Sequence, residues 1–164
     1  MKADDPRLLE VWTQKEIPVL FRRHLKGAKS DANDASNAGG VLVKLPKHVT
    51  ISETELRGGK RNHKPEWLKN FSAWRLPDRR FNELIELCLR RCQAVYSIHP
   101  YRPQKKCAPA CYNASGFACD CACMGENHGQ GDPGGAWWIV SEAFACQWQE
   151  KEYACRLLTA KPAA

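Results

Sequence analysis

No apolar run in the chain approaches the roughly twenty residues that cross a bilayer as a helix, although aliphatic and aromatic residues are spread through all of it. Met1-Lys2-Ala3-Asp4-Asp5 starts no apolar signal segment either. The expectation is therefore a soluble cytoplasmic protein with no membrane partner, in a compartment that keeps thiols reduced. Several motifs of enzyme chemistry are missing as well: there is no Walker loop, no Rossmann glycine pattern, no nucleophile elbow, no HExxH and no HxE…PCxxC. No catalytic residue is assigned. The 164 residues amount to about one domain, long enough for a real core and short enough to profit from a metal staple.

Cysteine, by contrast, is abundant and concentrated. Five of the nine cysteines, Cys107, Cys111, Cys119, Cys121 and Cys123, fall within seventeen residues, and His128 follows in the turn-like Gly125-Glu126-Asn127-His128-Gly129. Zinc takes four tetrahedral ligands, typically thiolates and imidazoles, with ligand pairs two to four residues apart. Pro109 restricts the backbone between Cys107 and Cys111. In extended chain Cys119, Cys121 and Cys123 project from one face, and Gly116 and Gly125 let the backbone bend to bring the sulfurs together. Six candidates exceed the four that one ion requires, so two are spectators or two ions share a thiolate. The favoured single site pairs Cys107 and Cys111 with two or more of Cys119, Cys121, Cys123 and His128.

Zinc is placed first and an iron–sulfur cluster second, since both use four thiolates. Disulfides suit a secreted chain, which Met1–Asp5 does not suggest. Reduced thiols that merely pack would gather among apolar neighbours, which are scarce around 107–123. Catalytic zinc usually keeps an open position and draws on His and carboxylates. A cysteine-dominated site more often closes on itself, although Glu126 and Asp120 lie near the candidate ligands and Glu126 could serve as a base to a bound water.

The net charge is +7, and it is not evenly spread. Residues 15–80 carry fifteen Lys or Arg against seven Asp or Glu, whereas residues 81–164 carry eight of each. An amino-terminal basic half suits a polyanion, whose affinity comes largely from neutralised phosphates. Arg57-Gly58-Gly59-Lys60-Arg61-Asn62-His63-Lys64 reads as a basic loop whose glycines let the backbone approach a phosphate. Trp67, Phe71 and Trp74 follow, interleaved with Lys69 and Arg75. Cations beside aromatics are what single-strand binding uses, although tryptophans at such intervals more often serve the core. The expected nucleic-acid surface comprises Arg57, Lys60, Arg61, Lys64, Lys69 and Arg75, with Trp67 and Trp74 as stacking rings.

The pattern predicts an α+β fold, a small mixed or antiparallel sheet with one main helix at about 79–92, in a single domain spanning 1–164. Asp5-Pro6 caps a first helix running to about Lys15. Strands are expected at 17–23, 41–45 and 94–99 and from Trp137 onward, with a flexible loop at about 26–40 and the metal-binding loop at 101–135. In the main helix Phe81, Leu84, Ile85, Cys88 and Cys92 share an apolar face. Arg79, Glu83, Glu86 and Arg90 lie opposite, at ion-pair spacing. Cys88 and Cys92 are read as core residues, and His99 and Tyr101 as satisfied surface residues at a strand end. The closing hairpin, with Glu150-Lys151 as its turn, sets Trp148 opposite Tyr153, Cys146 opposite Cys155 and Phe144 opposite Leu157. A disulfide between Cys146 and Cys155 is then possible on oxidation.

From Trp74-Arg75-Leu76-Pro77 through VYSIHPY and CAPAC to GENHG, over roughly residues 60 to 160, the sequence resembles a family of small bacterial cysteine-rich proteins. The tryptophan–proline segment, helix, strand and cysteine loop are similar there. The resemblance implies no activity. Trp67 and Trp74 followed by Leu76-Pro77 and a helix are similar, over that short stretch, to the HARP domain of annealing helicases, which act on DNA. VYSI before the cysteine loop invites comparison with GIY-YIG nucleases, but the second tyrosine–glycine element and the downstream Arg and Glu do not follow in order. The reading is a zinc-stabilised, basic, non-enzymatic protein binding DNA or RNA. Its alternatives are a protein-interaction module or inhibitor carried by a phage or plasmid, and a metal-dependent nuclease.

Overall fold

The structure, a computed structural model, describes residues 5–23, 40–102, 104, 117, 137–149 and 151–162. The fold is α+β and is built on one seven-stranded mixed sheet in the order β3-β4-β2-β1-β5-β7-β6. The strands are β1 (Val19–Arg22), β2 (Val41–Lys44), β3 (Glu66–Leu68), β4 (Ala73–Leu76), β5 (Ala94–Pro100), β6 (Trp138–Trp148) and β7 (Lys151–Ala160). Of the six strand pairs among the described residues, only β1 with β5 is parallel. Among the described residues three helices accompany the sheet: α1 (Pro6–Thr13), α2 (Glu53–Arg57) and the main helix α3 (Phe81–Cys92), which is entered through a 3-10 turn at Asp78–Arg80. Among the described residues no helix is long and apolar enough to cross a membrane.

Alternation along the strands divides the core between the two faces of the sheet. Val19 and Phe21 point to the face covered by α1, where Leu8, Val11, Trp12, Ile98, Trp148, Tyr153 and Cys155 complete one buried cluster. Leu20 points to the other face, where α3 contributes Phe81, Leu84, Ile85, Cys88 and Leu89 to a second. Burying each such side chain is worth roughly 1.5–3 kcal/mol. Two apolar layers, rather than one thin one, therefore hold the sheet.

The helix ends follow from local chemistry. The Asp5 carboxylate accepts from Arg7 N–H at 2.9 Å with Pro6 in the first turn, as its sequence predicts. The helix stops at Thr13, two residues earlier than expected. There the Gln14 side chain takes over, accepting from the N–H groups of Glu16 and Ile17 and donating to Ile17 O. Helix α2, which periodicity missed because it is five residues long, carries a full capping box between Ser52 and Glu55.

Two expectations are corrected. In the hairpin, Trp148 lies opposite Lys151, Cys146 opposite Tyr153, Phe144 opposite Cys155 and Glu142 opposite Leu157. The register is slipped by two from the expected one, with Gln149 at φ +51° leading the turn. Because the slip is even, every side chain keeps its face while the partners change, so Cys146 and Cys155 are diagonal neighbours rather than a facing pair. On α3, Glu86 and Arg90 do pair, at 2.8 Å, but Glu83 takes Arg80 instead of Arg79. The expected flexible loop at 26–40 lies outside the described residues except Gly40. The expected metal-binding loop at 101–135 does too, except residues 101, 102, 104 and 117.

Candidate nucleic-acid interface

The basic segment starts where α2 ends. Gly58, at φ +60°, is the left-handed cap, and its N–H bonds back to Glu55 O and Thr54 O. A Cβ at this position would sit 2.7 Å from the Arg80 guanidinium. Arg80 is itself buried, donates to Leu56 O at 3.0 and 3.3 Å and pairs with Glu83. Gly58 is thus used to seat α2 on the start of α3, not to admit a phosphate. Gly59, at φ +74°, faces open space.

The next turn closes with His63 N–H on Lys60 O at 3.2 Å. It folds the His63 ring inward, to 3 % exposure, against the 3-10 turn. There Arg79 Nε donates to His63 Nε2 at 2.9 Å. Since Arg79 carries its proton permanently, Nε2 must offer its lone pair, which places the imidazole proton on Nδ1. Burial, then Arg79, Lys60 and Arg80, hold the His63 pKa below its ordinary value. Lys60, Arg61, Asn62, His63 and Arg79 together line an open depression of about 510 Å³, with no carboxylate among the described residues that line it.

The ring pair sits further along, at the sheet edge. Trp67 of β3 is the cross-strand partner of Trp74 of β4, with centroids 5.1 Å apart and the rings edge to face. Trp74 is half-buried against the cluster under α3, whereas Trp67 is 51 % exposed. Lys69 is exposed in the β3–β4 turn, and Lys64 is exposed just before β3. Arg75 alternates with Trp74 and so lies on the other face of the sheet, where it pairs with Glu66. Arg57 is held by Glu53 at 2.6 Å, one helical turn back.

The eight residues expected to form one surface therefore separate. Lys60 and Arg61 share the depression, with Lys64 and the Trp67–Trp74 pair following along the same short stretch of chain. Arg57 and Arg75 are engaged by carboxylates, and Arg75 faces away. Three members of the depression, Asn62, His63 and Arg79, were not singled out from sequence. Arg79 reads there as a helix-surface ion pair, but α3 starts at Phe81, two residues later than expected, and leaves Arg79 in the preceding 3-10 turn, where it meets His63.

The metal candidates Cys107, Cys111, Cys119, Cys121, Cys123 and His128 lie outside the described residues, as do Asp120 and Glu126. Among the described residues no group of three or more His, Cys, Asp or Glu could hold a metal. Phe117, inside the same segment, is described: it is buried, its ring lies 5.0 Å from that of Trp138, and its N–H donates to Asn82 Oδ1 at 2.9 Å. Cys88, Cys146 and Cys155 are buried free thiols and Cys92 is half-buried. His99 is buried rather than at the surface, with Nδ1 2.9 Å from Pro100 O, because β5 continues one residue beyond the expected strand end and its last residues stay paired with β7. Tyr101 is partly exposed, and its N–H continues the ladder to Glu152 O.

The sequence matches no protein-family profile, and no curated protein or solved structure shows significant similarity to it.

Proposed function

We propose that this chain is a zinc-stabilised, basic, non-enzymatic protein that binds single-stranded nucleic acid through the Lys60–Arg61 depression, Lys64 and the Trp67 ring. The observation that carries the reading is Trp67. It is a large aromatic ring left 51 % exposed on an edge strand, a few residues from a group of cations that lines its depression with no described carboxylate. Such a ring offers a stacking platform that tolerates any base, and the cations supply the salt-dependent part of the affinity. The metal part of the proposal rests on sequence. Cys88, Cys92, Cys146 and Cys155 are packing thiols, which leaves the five cysteines of 107–123, with His128, as the ligand pool. A zinc ion there would tie the connection between β5 and β6.

Binding of labelled short single-stranded DNA and RNA, followed by fluorescence anisotropy across a salt series, tests the nucleic-acid reading. Affinity should fall steeply with salt, and Lys60→Ala and Arg61→Ala should each reduce the slope by about 0.7. Trp67→Ala should cost about 1–3 kcal/mol of binding for a stacked base. Affinity indifferent to salt and to all three substitutions would end the reading. Elemental analysis of reduced, purified protein tests the metal part, where the expected result is stoichiometric zinc that a chelator removes with release of titratable thiols.

One observation favours a protein partner instead. β6 pairs with β7 on one side and with no described strand on the other, and Ile139 is exposed along it. A free edge of this kind accepts a strand from another chain. A stoichiometric protein partner that survives nuclease and is lost in Ile139→Lys would replace nucleic acid by that reading.

A further inference from the structure

The cations of this protein are not alike. Seven arginines, from Arg7 on Asp5 to Arg91 on Glu55, each hold a carboxylate. Among the described residues Arg61 and Arg79 hold none, and both line the depression beside Lys60, where no described acidic residue lies. Arg79 is also oriented: its Nε is fixed on His63 Nε2 at 2.9 Å, which leaves the terminal nitrogens of the guanidinium unengaged among the described residues. Asn62 adds a neutral donor to the same rim. Three positive charges gathered without a counter-charge repel one another, a cost that a bound anion removes.

We propose that this depression is a binding site for a phosphate monoester, gripped by Lys60, Arg61 and Arg79, with His63 holding the Arg79 guanidinium in place. A monoester carries close to two negative charges and three acceptor oxygens near neutral pH, which match three cations lining one depression and a guanidinium fork. A backbone phosphodiester brings one charge, and a carboxylate one charge and two oxygens. The inference deepens the nucleic-acid reading, on which it rests only for the source of the phosphate, a strand end as against a free phosphorylated molecule.

His63 reports occupancy. The charged groups that face it are Lys60 from the turn and Arg79 and Arg80 from the start of α3, with Arg80 partly neutralised by Glu83. A dianion placed among them offsets their repulsion of the ring proton, so binding should move the His63 pKa upward, and at pH above it the ring stays neutral and keeps Arg79 in place. The test is the His63 ring-proton titration by NMR in the intact protein with inorganic phosphate, against chloride and acetate at equal ionic strength. The expected result is an upward shift of His63 with phosphate alone, lost in Lys60→Ala and in Arg61→Ala, both at exposed positions that leave the fold intact. No shift, or an equal shift with acetate, overturns the site. A second arm compares one oligonucleotide with a 5′-phosphate and with a 5′-hydroxyl. Tighter binding of the phosphorylated strand by tenfold or more, erased by Arg61→Ala, assigns the phosphate to a strand end. Equal binding of the two strands, with the His63 shift intact, assigns it to a free phosphorylated ligand. Should neither strand bind while phosphate still shifts His63, the site stands and the nucleic-acid reading falls.

Discussion

The guanidinium of Arg156, wholly buried in β7, donates to the main-chain carbonyl of Phe117 and to Ser97 Oγ at 3.3 Å. With the Phe117 N–H on Asn82 and its ring on Trp138, this residue is joined to α3, β6 and β7, and through Arg156 to Ser97 of β5. Phe117 is therefore seated in the apolar layer under α3. Phe117→Ala should destabilise the protein by about 3–5 kcal/mol. Arg156→Ala should cost at least about 2 kcal/mol, since it leaves a buried carbonyl and hydroxyl without their charged donor. The two share a contact, so the double variant should lose less than the sum. Urea denaturation measures all three, and losses below about 0.5 kcal/mol would show that residue 117 is not held there.

Three glycines with positive φ should separate by what a methyl group would meet. At Gly40 an added Cβ overlaps the Leu76 carbonyl oxygen, at Gly58 it lies 2.7 Å from Arg80 Nη1, and at Gly59 it meets nothing within 4 Å. Gly59→Ala should therefore cost only the left-handed strain, roughly 1 kcal/mol. Gly58→Ala should cost more, because Arg80 must give way, and Gly40→Ala most, because a backbone atom must. A thermal-melting series that reverses this order would contradict the packing at the α2–α3 junction.

Thiol reactivity offers a different check. Burial raises the Cys146 pKa to about 12, and it pushes Cys88 and Cys155 well up also. Because the thiolate is the nucleophile, these three should resist alkylation in the folded protein at pH 8 and react on unfolding, as peptide mapping would show. Oxidation should leave Cys146 and Cys155 unlinked, since their strand partners are Tyr153 and Phe144. A 146–155 disulfide found under native conditions would favour the register in which they face each other.

Stability should depend on pH through His63. In the unfolded chain the ring titrates near 6.5, and in the fold burial and then Arg79, Lys60 and Arg80 hold its pKa lower. Between those values the unfolded state binds more protons, so stability is level above about 6.5 and falls as the pH drops below it. His63→Gln keeps an acceptor for Arg79 Nε and removes the titration, so the wild-type curve should fall relative to the variant below pH 6.5. Parallel curves from pH 8 to pH 5 would show that the ring is not buried neutral.

Much of the chain was legible because its signals are local. The Asp5-Pro6 cap, the apolar stripe from Phe81 to Cys88, and strands β1, β2 and β5 each rest on a few consecutive residues, and the structure places them within two residues of expectation. The common face of Phe144, Cys146, Trp148, Tyr153 and Cys155 was legible too, because strand alternation has a period of two and survives an even slip. Only the tertiary structure decided which residues meet across that hairpin. It also made strands of Glu66–Leu68 and Ala73–Leu76, pieces of three and four residues too short for periodicity to reveal, by pairing them with β2 and with each other. The same holds for the candidate site. Lys60 and Arg61 announce their charge in sequence, but whether an arginine is free depends on what folds beside it. Arg75 is quenched by Glu66 across a strand pair, whereas Arg79 gives up Glu83 to Arg80 and turns to His63, sixteen residues away. Charge is a property of the side chain, and its compensation is a property of the packing around it.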